Sequence, residues 1–252
     1  MRDGSDQKTG YWQVVRLVHR AWRYRLGRDK QEISTLLNHL KPGQCAVDIG
    51  AHKGAYTYWM QRAVGREGSV VAFEPQPLLA QRLTGLMKKM AISHVTIEQM
   101  GLSDQAAMGE LHIPGDGSPS PGASLVGQSI TGPQTTVSQV KLETLDGYFA
   151  NRGRVHLIKC DVEGHELAVF KSGIKLLKRD RPLILFECES RHQSGHTVAD
   201  VFQFLVELGY QGRFYDRGES YPISAFRAEM QANPGSRAYV NNFIFTHPAT
   251  PE

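Results

Sequence analysis

Apolar positions along the chain switch between two periods. Tyr11, Val14, Val15, Val18, Trp22 and Leu26 recur at three- and four-residue steps and predict an amphipathic helix. Ile33, Leu36, Leu37 and Leu40 predict a second helix over 32–40, ended by Pro42-Gly43. Residues 1–9 are polar and read as disordered. From Cys45 onward, short apolar runs alternate with helical stretches. Ala46–Ile49 leads into a helix after Gly54, and Val70–Phe73 into one over 77–90, followed by a strand near 95–99. Val155–Cys160 leads into a helix over 166–178, which buries Leu167, Val169, Phe170, Ile174 and Leu177. Leu183–Phe186 precedes a helix over 198–208, and strands at 210–216 and 242–246 close the pattern. Strands apolar on both faces and separated by helices predict an α/β fold, with a mostly parallel sheet covered on both sides.

The alternation breaks once. Gly109–Ile113 and Thr135–Leu142 read as strands around a stretch, 114–134, rich in Gly, Pro and Ser, before a short helix over 142–150. A loop of about 20 residues in a compact domain is usually functional or disordered. We therefore expect a hairpin insertion over 109–142 that acts as a substrate-side lid. The expected organisation is a basic helical extension, 1–43, on one domain, 44–252.

Composition narrows the class without choosing a function. With 252 residues, 40% hydrophobic and 21% charged, the chain has the makings of a full core, and a formal charge of +4 is too modest to argue for nucleic acid. No run approaches ~18 apolar residues, so no transmembrane segment is expected. Cys45, Cys160 and Cys188 fall in or beside buried strands and lack a zinc or disulfide spacing. The start of the chain lacks the apolar core of a secretory signal, and the expectation is a cytoplasmic protein. Arg16, Arg20 and Arg23 line a second face of the first helix, with no acid between Gln7 and Arg28. Two readings follow: peripheral contact of residues 11–28 with an anionic membrane or acidic substrate, or a cap helix packing Trp12 and Trp22 on the domain.

In open α/β sheets, ligands bind beyond the carboxyl ends of the strands. Those ends carry Asp48 and Gly50, Glu74, Ser103 and Asp104, Asp161 with Glu163 and His165, then Glu187 and Glu189. A carboxylate at the end of the second strand, Glu74, is placed to hold two ribose hydroxyls. The row discriminates between nucleotide cofactors. Asp48 near the glycine turn would repel a pyrophosphate, and the turn lacks the dinucleotide glycine spacing. S-adenosylmethionine is cationic at its sulfonium and ammonium, so an acidic lining favours it.

Four blocks then stand out: Val47-Asp-Ile-Gly-Ala-His-Lys-Gly54, Ala72-Phe-Glu-Pro75, Leu142-Glu-Thr-Leu-Asp146 and Ile158-Lys-Cys-Asp-Val-Glu-Gly-His-Glu166. In order and spacing they resemble the FkbM family of methyltransferases over about 44–190. The resemblance implies a Rossmann-like class I methyltransferase fold, with seven strands of which one is antiparallel. It also implies methylation of hydroxyl groups by S-adenosylmethionine. Asp48, Gly50, Gly54 and Glu74, with Ala51, Pro75 and Ser103 beside them, would hold the cofactor. Asp104 would lie near the adenine, and Asp161 near the methionine end or the acceptor.

A hydroxyl is a weak nucleophile, so a general base is expected, and His165, Asp161 and Glu187 are the candidates. Each has a plainer role open to it. Asp161 would cap the next helix or balance the sulfonium, Glu163 and Glu166 would sit in that helix's first turn, and His165 would lie at the surface. Asp161, Glu163, His165, Glu187 and Glu189 also form a possible Mg²⁺ ligand set, which is not the favoured reading. His192 and His196 follow on a loop. The acceptor expected is a hydroxylated small molecule, sugar or glycan. The alternatives are an NAD-dependent oxidoreductase, and a non-catalytic module that binds a partner through the arginine helix.

Overall fold

The computed structural model describes residues 4–27, 29–126, 135–236 and 238–249, with side chains from Gly10 onward. In chain order it runs α1 (Gly4–Leu26), α2 (Lys30–His39), β1 (Cys45–Ile49), α3 (Ala55–Val64), β2 (Ser69–Phe73), α4 (Pro77–Lys89) and β3 (Val95–Glu98). An insertion follows, built from β4 (Gly101–Leu102), β5 (Ala107–Pro114) and β6 (Thr135–Glu143). The chain then continues through α5 (Leu145–Phe149), β7 (Leu157–Cys160), α6 (Glu166–Lys171), α7 (Ile174–Asp180), β8 (Leu183–Glu187) and α8 (Val198–Glu207). It ends with β9 (Gln211–Asp216), β10 (Glu219–Pro222) and β11 (Asn242–Thr246).

The main sheet has the order β10-β9-β11-β8-β7-β1-β2-β3. The five strands from β8 to β3 are parallel, and β11 lies antiparallel between β8 and β9. Eight strands replace the expected seven. After β9 the chain reverses at Arg217 and Gly218, both with positive φ, and β10 adds an exposed antiparallel edge.

The pleat of the central strands separates two cores. Val47, Ile49, Ile158, Cys160, Ile184 and Phe186 face a cluster with Phe170, Phe202 and Phe243. Ala46, Leu157, Leu183 and Leu185 face Leu17 of α1, Leu36 of α2, and Trp59 and Met60 of α3. α1 begins at Gly4, earlier than expected, and Trp59 Nε1 donates to Ala21 O at 2.9 Å. The helix does cap the domain, but through Leu17 and Ala21; Trp12 is exposed and Trp22 only leans its ring on Trp59.

Other expectations change locally. The helix expected over 166–178 breaks at Ser172-Gly173. A Cβ on Gly173 would come within 2.5 Å of Leu145, and Asp146 accepts from Lys175 N and Leu176 N at 3.0 and 2.8 Å to start α7 afresh. Ile174 is consequently exposed rather than buried. The short helix starts at Leu145, capped by the Thr144 hydroxyl, because Leu142 and Glu143 still belong to β6.

The insertion is a three-stranded sheet, β4-β6-β5, in which the hairpin β5–β6 is joined by a parallel β4 that the sequence did not announce. Residues 127–134 of the expected lid lie outside the described residues. Among the described residues no helix is long and apolar enough to cross a membrane.

Candidate active site

The pleat places Asp48, Lys159 and Glu187 on the α3 side of the sheet, with Asp48 and Lys159 in register across β1 and β7. Asp48 is buried and accepts from Thr57 Oγ1 at 2.5 Å. Burial pushes its carboxyl up to about 6, against the pull of Thr57 and Lys159. Lys159 is fully buried. Burial alone would lower it, but Asp161 and Glu187 raise it above the ordinary lysine value. It is therefore the cation that balances this acidic floor.

Gly50 explains why Asp161 joins the floor. Its φ is +79°, and a Cβ there would lie 1.9 Å from Asp161 O, so only glycine lets the turn after β1 touch the turn after β7. Asp161 Oδ2 stands 3.8 Å from Lys159 Nζ and keeps part of its carboxylate open to solvent. Ala51 lines a small cavity with Asp48, Tyr56, Lys159, Asp161 and Glu187.

Glu74, at the end of β2, is buried and doubly anchored: His52 N donates to Oε2 at 2.7 Å and Gln76 N to Oε1 at 2.8 Å. Burial pushes its carboxyl up to about 7 despite those bonds. Each oxygen keeps a lone pair for a further donor.

Glu74, Asp161 and Glu187 floor a cleft of about 610 Å³, and Asp48 and Lys159 line the smaller cavity beside it. Phe73, Met100, Leu102, Leu111, Leu125 and Val162 give it an apolar wall, and Arg20, Arg23, Lys53 and Arg191 lie among its polar lining. Part of the insertion roofs it. Gln76 exchanges two hydrogen bonds with the Ser120 backbone at 2.9 and 3.0 Å, and Ser124 pairs with His112 while its hydroxyl donates to Glu163 O at 2.7 Å.

The far wall carries a paired carboxyl and imidazole, with burial raising the Glu163 carboxyl above its ordinary value. Glu163 and His192 both line the cleft, and the His192 Nδ1 meets Glu163 Oε2. Gly164 brings them together. Its φ is +96°, and a Cβ there would sit 2.1 Å from His192 O, so the loop presses against the turn after β8. Burial would lower His192, but the Glu163 hydrogen bond and charge outweigh it and raise the imidazole above its ordinary value. Next to it, Glu189 is held down to about 2: burial opposes this, but Tyr239, Asn241 and Arg191 all donate to it. Asn241 also donates to Glu187 Oε1 at 2.5 Å.

The cleft thus gathers Asp48's neighbour Gly50 with Glu74, Pro75, Asp161 and Glu187. Asp48 and Ala51 line the smaller cavity beside it, and four further expected site residues lie elsewhere. Gly54 opens α3, and its missing Cβ admits Leu83 at 2.6 Å, a packing role. Ser103 and Asp104 are carried away from the cleft because β4 pairs with β6 and Ser103 N donates to Glu143 O. His165 follows them, its Nε2 2.8 Å from Ser103 Oγ, where burial lowers its pKa. Glu163 is not in a helical first turn, since its φ is +52°. Glu166 opens α6 but folds back to accept from Gly164 N. Among the described residues no group of three or more His, Cys, Asp or Glu is arranged to hold a metal ion. His192, which lines the cleft, is not among the bases expected from the sequence. Its signal was Gly164, a glycine directly after a strand-end carboxylate and thus a mark of close backbone approach.

A family model described as "Methyltransferase FkbM domain" matches residues 48–211. A methyltransferase FkbM from Methylobacillus flagellatus KT has a similar structure, with TM-score 0.53 at 13% identity over 93% of this chain and 55% of that one. An rRNA methylase from Streptococcus thermophilus gives TM-score 0.50 at 11% identity, covering 88% and 97%. In sequence, the ribosomal RNA large subunit methyltransferase E of Verminephrobacter eiseniae (strain EF01-2) is 30% identical over 73 residues, 29% of this chain and 30% of that protein. The chain thus spans about half the length of the first structure and less than a third of the curated relative. At these identities the two structures speak for the fold alone.

Proposed function

Because the chain belongs to the FkbM methyltransferase family, we propose that it transfers a methyl group from S-adenosylmethionine to a hydroxyl of a small molecule, sugar or glycan. The observation that carries this reading is Glu74, a buried carboxylate with both oxygens fixed by backbone N–H groups and directed at an acid-floored cleft. The residues suit the cofactor. Glu74 would accept the two ribose hydroxyls, and Met100, Leu102, Leu111 and Leu125 offer a slot for a planar base. Asp161, with Glu187 behind it, would face the cationic end, for which the acidic floor is complementary. When bound, S-adenosylmethionine supplies an electrophilic methyl.

The chain's own task is to hold an acceptor oxygen and take its proton. His192 is the base we assign: it lines the cleft, and Glu163 orients its ring and favours the imidazolium formed when the hydroxyl loses its proton. This replaces His165, which lies outside the cleft lining. Asp161 and Glu187 then serve charge and positioning.

The test is a screen of hydroxylated acceptors, with an rRNA fragment among them, for S-adenosylhomocysteine release with and without EDTA. Release with a hydroxylated acceptor, undiminished by EDTA, is expected. Transfer to RNA alone would overturn the acceptor class, and loss in EDTA restored by Mg²⁺ would replace the base mechanism by metal activation.

A further inference from the structure

The outer face of α1 meets the rest of the domain through the edge of Trp22 on Trp59 and is otherwise largely turned to solvent. At 100° per residue, Tyr11, Trp22, Val15, Leu26, His19 and Trp12 occupy an arc of about 100°, and Arg23 and Arg16 the next ~40°. Four of the apolar members are open to solvent, with Tyr11 67% exposed, Trp12 59%, Trp22 42% and Leu26 72%, and Val15 is half-buried. A face this aromatic is unusual on a solvent-exposed helix whose opposite side, Leu17 and Ala21, is already buried on the domain.

We propose that this face of α1 docks on an anionic lipid surface. Tryptophan, tyrosine and leucine along one stripe, edged by arginines, match the chemistry of a helix lying in the headgroup region. The rings enter the interface while the guanidinium groups meet phosphates, and long arginine stems allow both at once. The charge also selects this occupant over a second copy of the chain. From Tyr11 to Leu26 there is no acidic residue, so two such faces brought together would oppose arginine rows with nothing to receive them. A surface with its own excess of phosphate supplies that complement.

The consequence for catalysis rests on the methyltransferase reading. Arg20, Arg23 and Tyr24 of the same helix line the cleft, so docking sets its mouth beside the lipid headgroups. A hydroxyl carried by a membrane-anchored acceptor then reaches the site without leaving the surface.

Co-sedimentation of the full chain with phosphatidylcholine vesicles, with and without one-third phosphatidylglycerol, tests the docking independently of methyl transfer. Binding to the anionic vesicles is expected to be at least about tenfold stronger and to weaken as salt is added. The double variant Trp12→Ala/Leu26→Ala should lose roughly tenfold in vesicle affinity while its thermal midpoint stays unchanged, since neither side chain is buried. Arg16→Gln should lose less, and only with anionic lipid. Equal binding to both vesicle types, or unchanged binding by the double variant, would overturn the proposal. So would a chain that ignores vesicles but self-associates through this face in sedimentation velocity.

Discussion

Glu74 sits in a balance between two demands. Its burial favours the neutral acid and holds the carboxyl up to about 7, yet ribose hydroxyls are best met by the ionised form. Cofactor affinity is therefore expected to rise with pH through 6 to 8, as Glu74 ionises. Isothermal titration with S-adenosylhomocysteine across that range checks it. Glu74→Ala should weaken binding by on the order of 1–3 kcal/mol and flatten the dependence; an unchanged affinity would remove Glu74 from the ribose site. His192 makes the complementary prediction for turnover. As a base it must be neutral, and Glu163 raises its pKa, so kcat/KM should climb along a limb centred above the ordinary histidine value. Glu163→Gln removes the anion that favours the imidazolium and should slide that limb towards acid. His192→Ala should lower kcat by about 10²–10⁴-fold while leaving S-adenosylhomocysteine binding intact.

At the scale of elements, the site depends on loops that touch only because glycine permits it. Gly164→Ala would drive a Cβ into the His192 carbonyl at a positive φ, so a destabilisation on the order of 2–4 kcal/mol is expected, with loss of the Glu163–His192 contact. Chemical denaturation together with the pH profile of any residual activity separates the two effects. Much of this level was legible in the sequence. Ala46–Ile49, Val70–Phe73 and Leu183–Phe186 are buried on both faces, so their apolar runs mark them without help from tertiary context. Glu74 and Glu187, which follow the last two, fall at the cleft because strand ends do so in any parallel sheet. What failed depended on partners distant along the chain. Ser103, Asp104 and His165 leave the cleft because β4 pairs with β6, a two-residue strand too short to have a period. His192 enters it from a turn after β8, and nothing local distinguishes that histidine from His196. Trp12 and Trp22 satisfied the helical period equally with Leu17's side, and the wheel alone does not say which face meets the domain.

For the whole molecule, the buried acids link stability to pH. A carboxyl raised on folding binds its proton more tightly in the native state, so its contribution is present below the unfolded value and lost as pH rises through the folded one. For Glu74, raised from 4.5 to about 7, that loss approaches about 3 kcal/mol between acid and mildly alkaline pH, and Asp48 adds in the same direction. Replacing Glu74 by Gln should therefore raise the melting temperature of the unliganded chain more at pH 8 than at pH 5.5 in scanning calorimetry. Added S-adenosylhomocysteine should raise the midpoint more at pH 8. An equal shift on substitution at both pH values would mean that Glu74 is not strained by burial.

The contact between α1 and α3 has an optical consequence. The chain's three tryptophans are Trp12, Trp22 and Trp59, two on the first helix and one beneath it, with Trp59 hydrogen-bonded to Ala21 and Trp22 edge-on to its ring. Two of the three emitters therefore report on this joint, while Trp12 stands apart in solvent. Fluorescence will register detachment of the N-terminal helix, which bares Trp59, whereas the far-ultraviolet signal follows the helices and the sheet together. If the two curves separate, the helix leaves before the fold is lost.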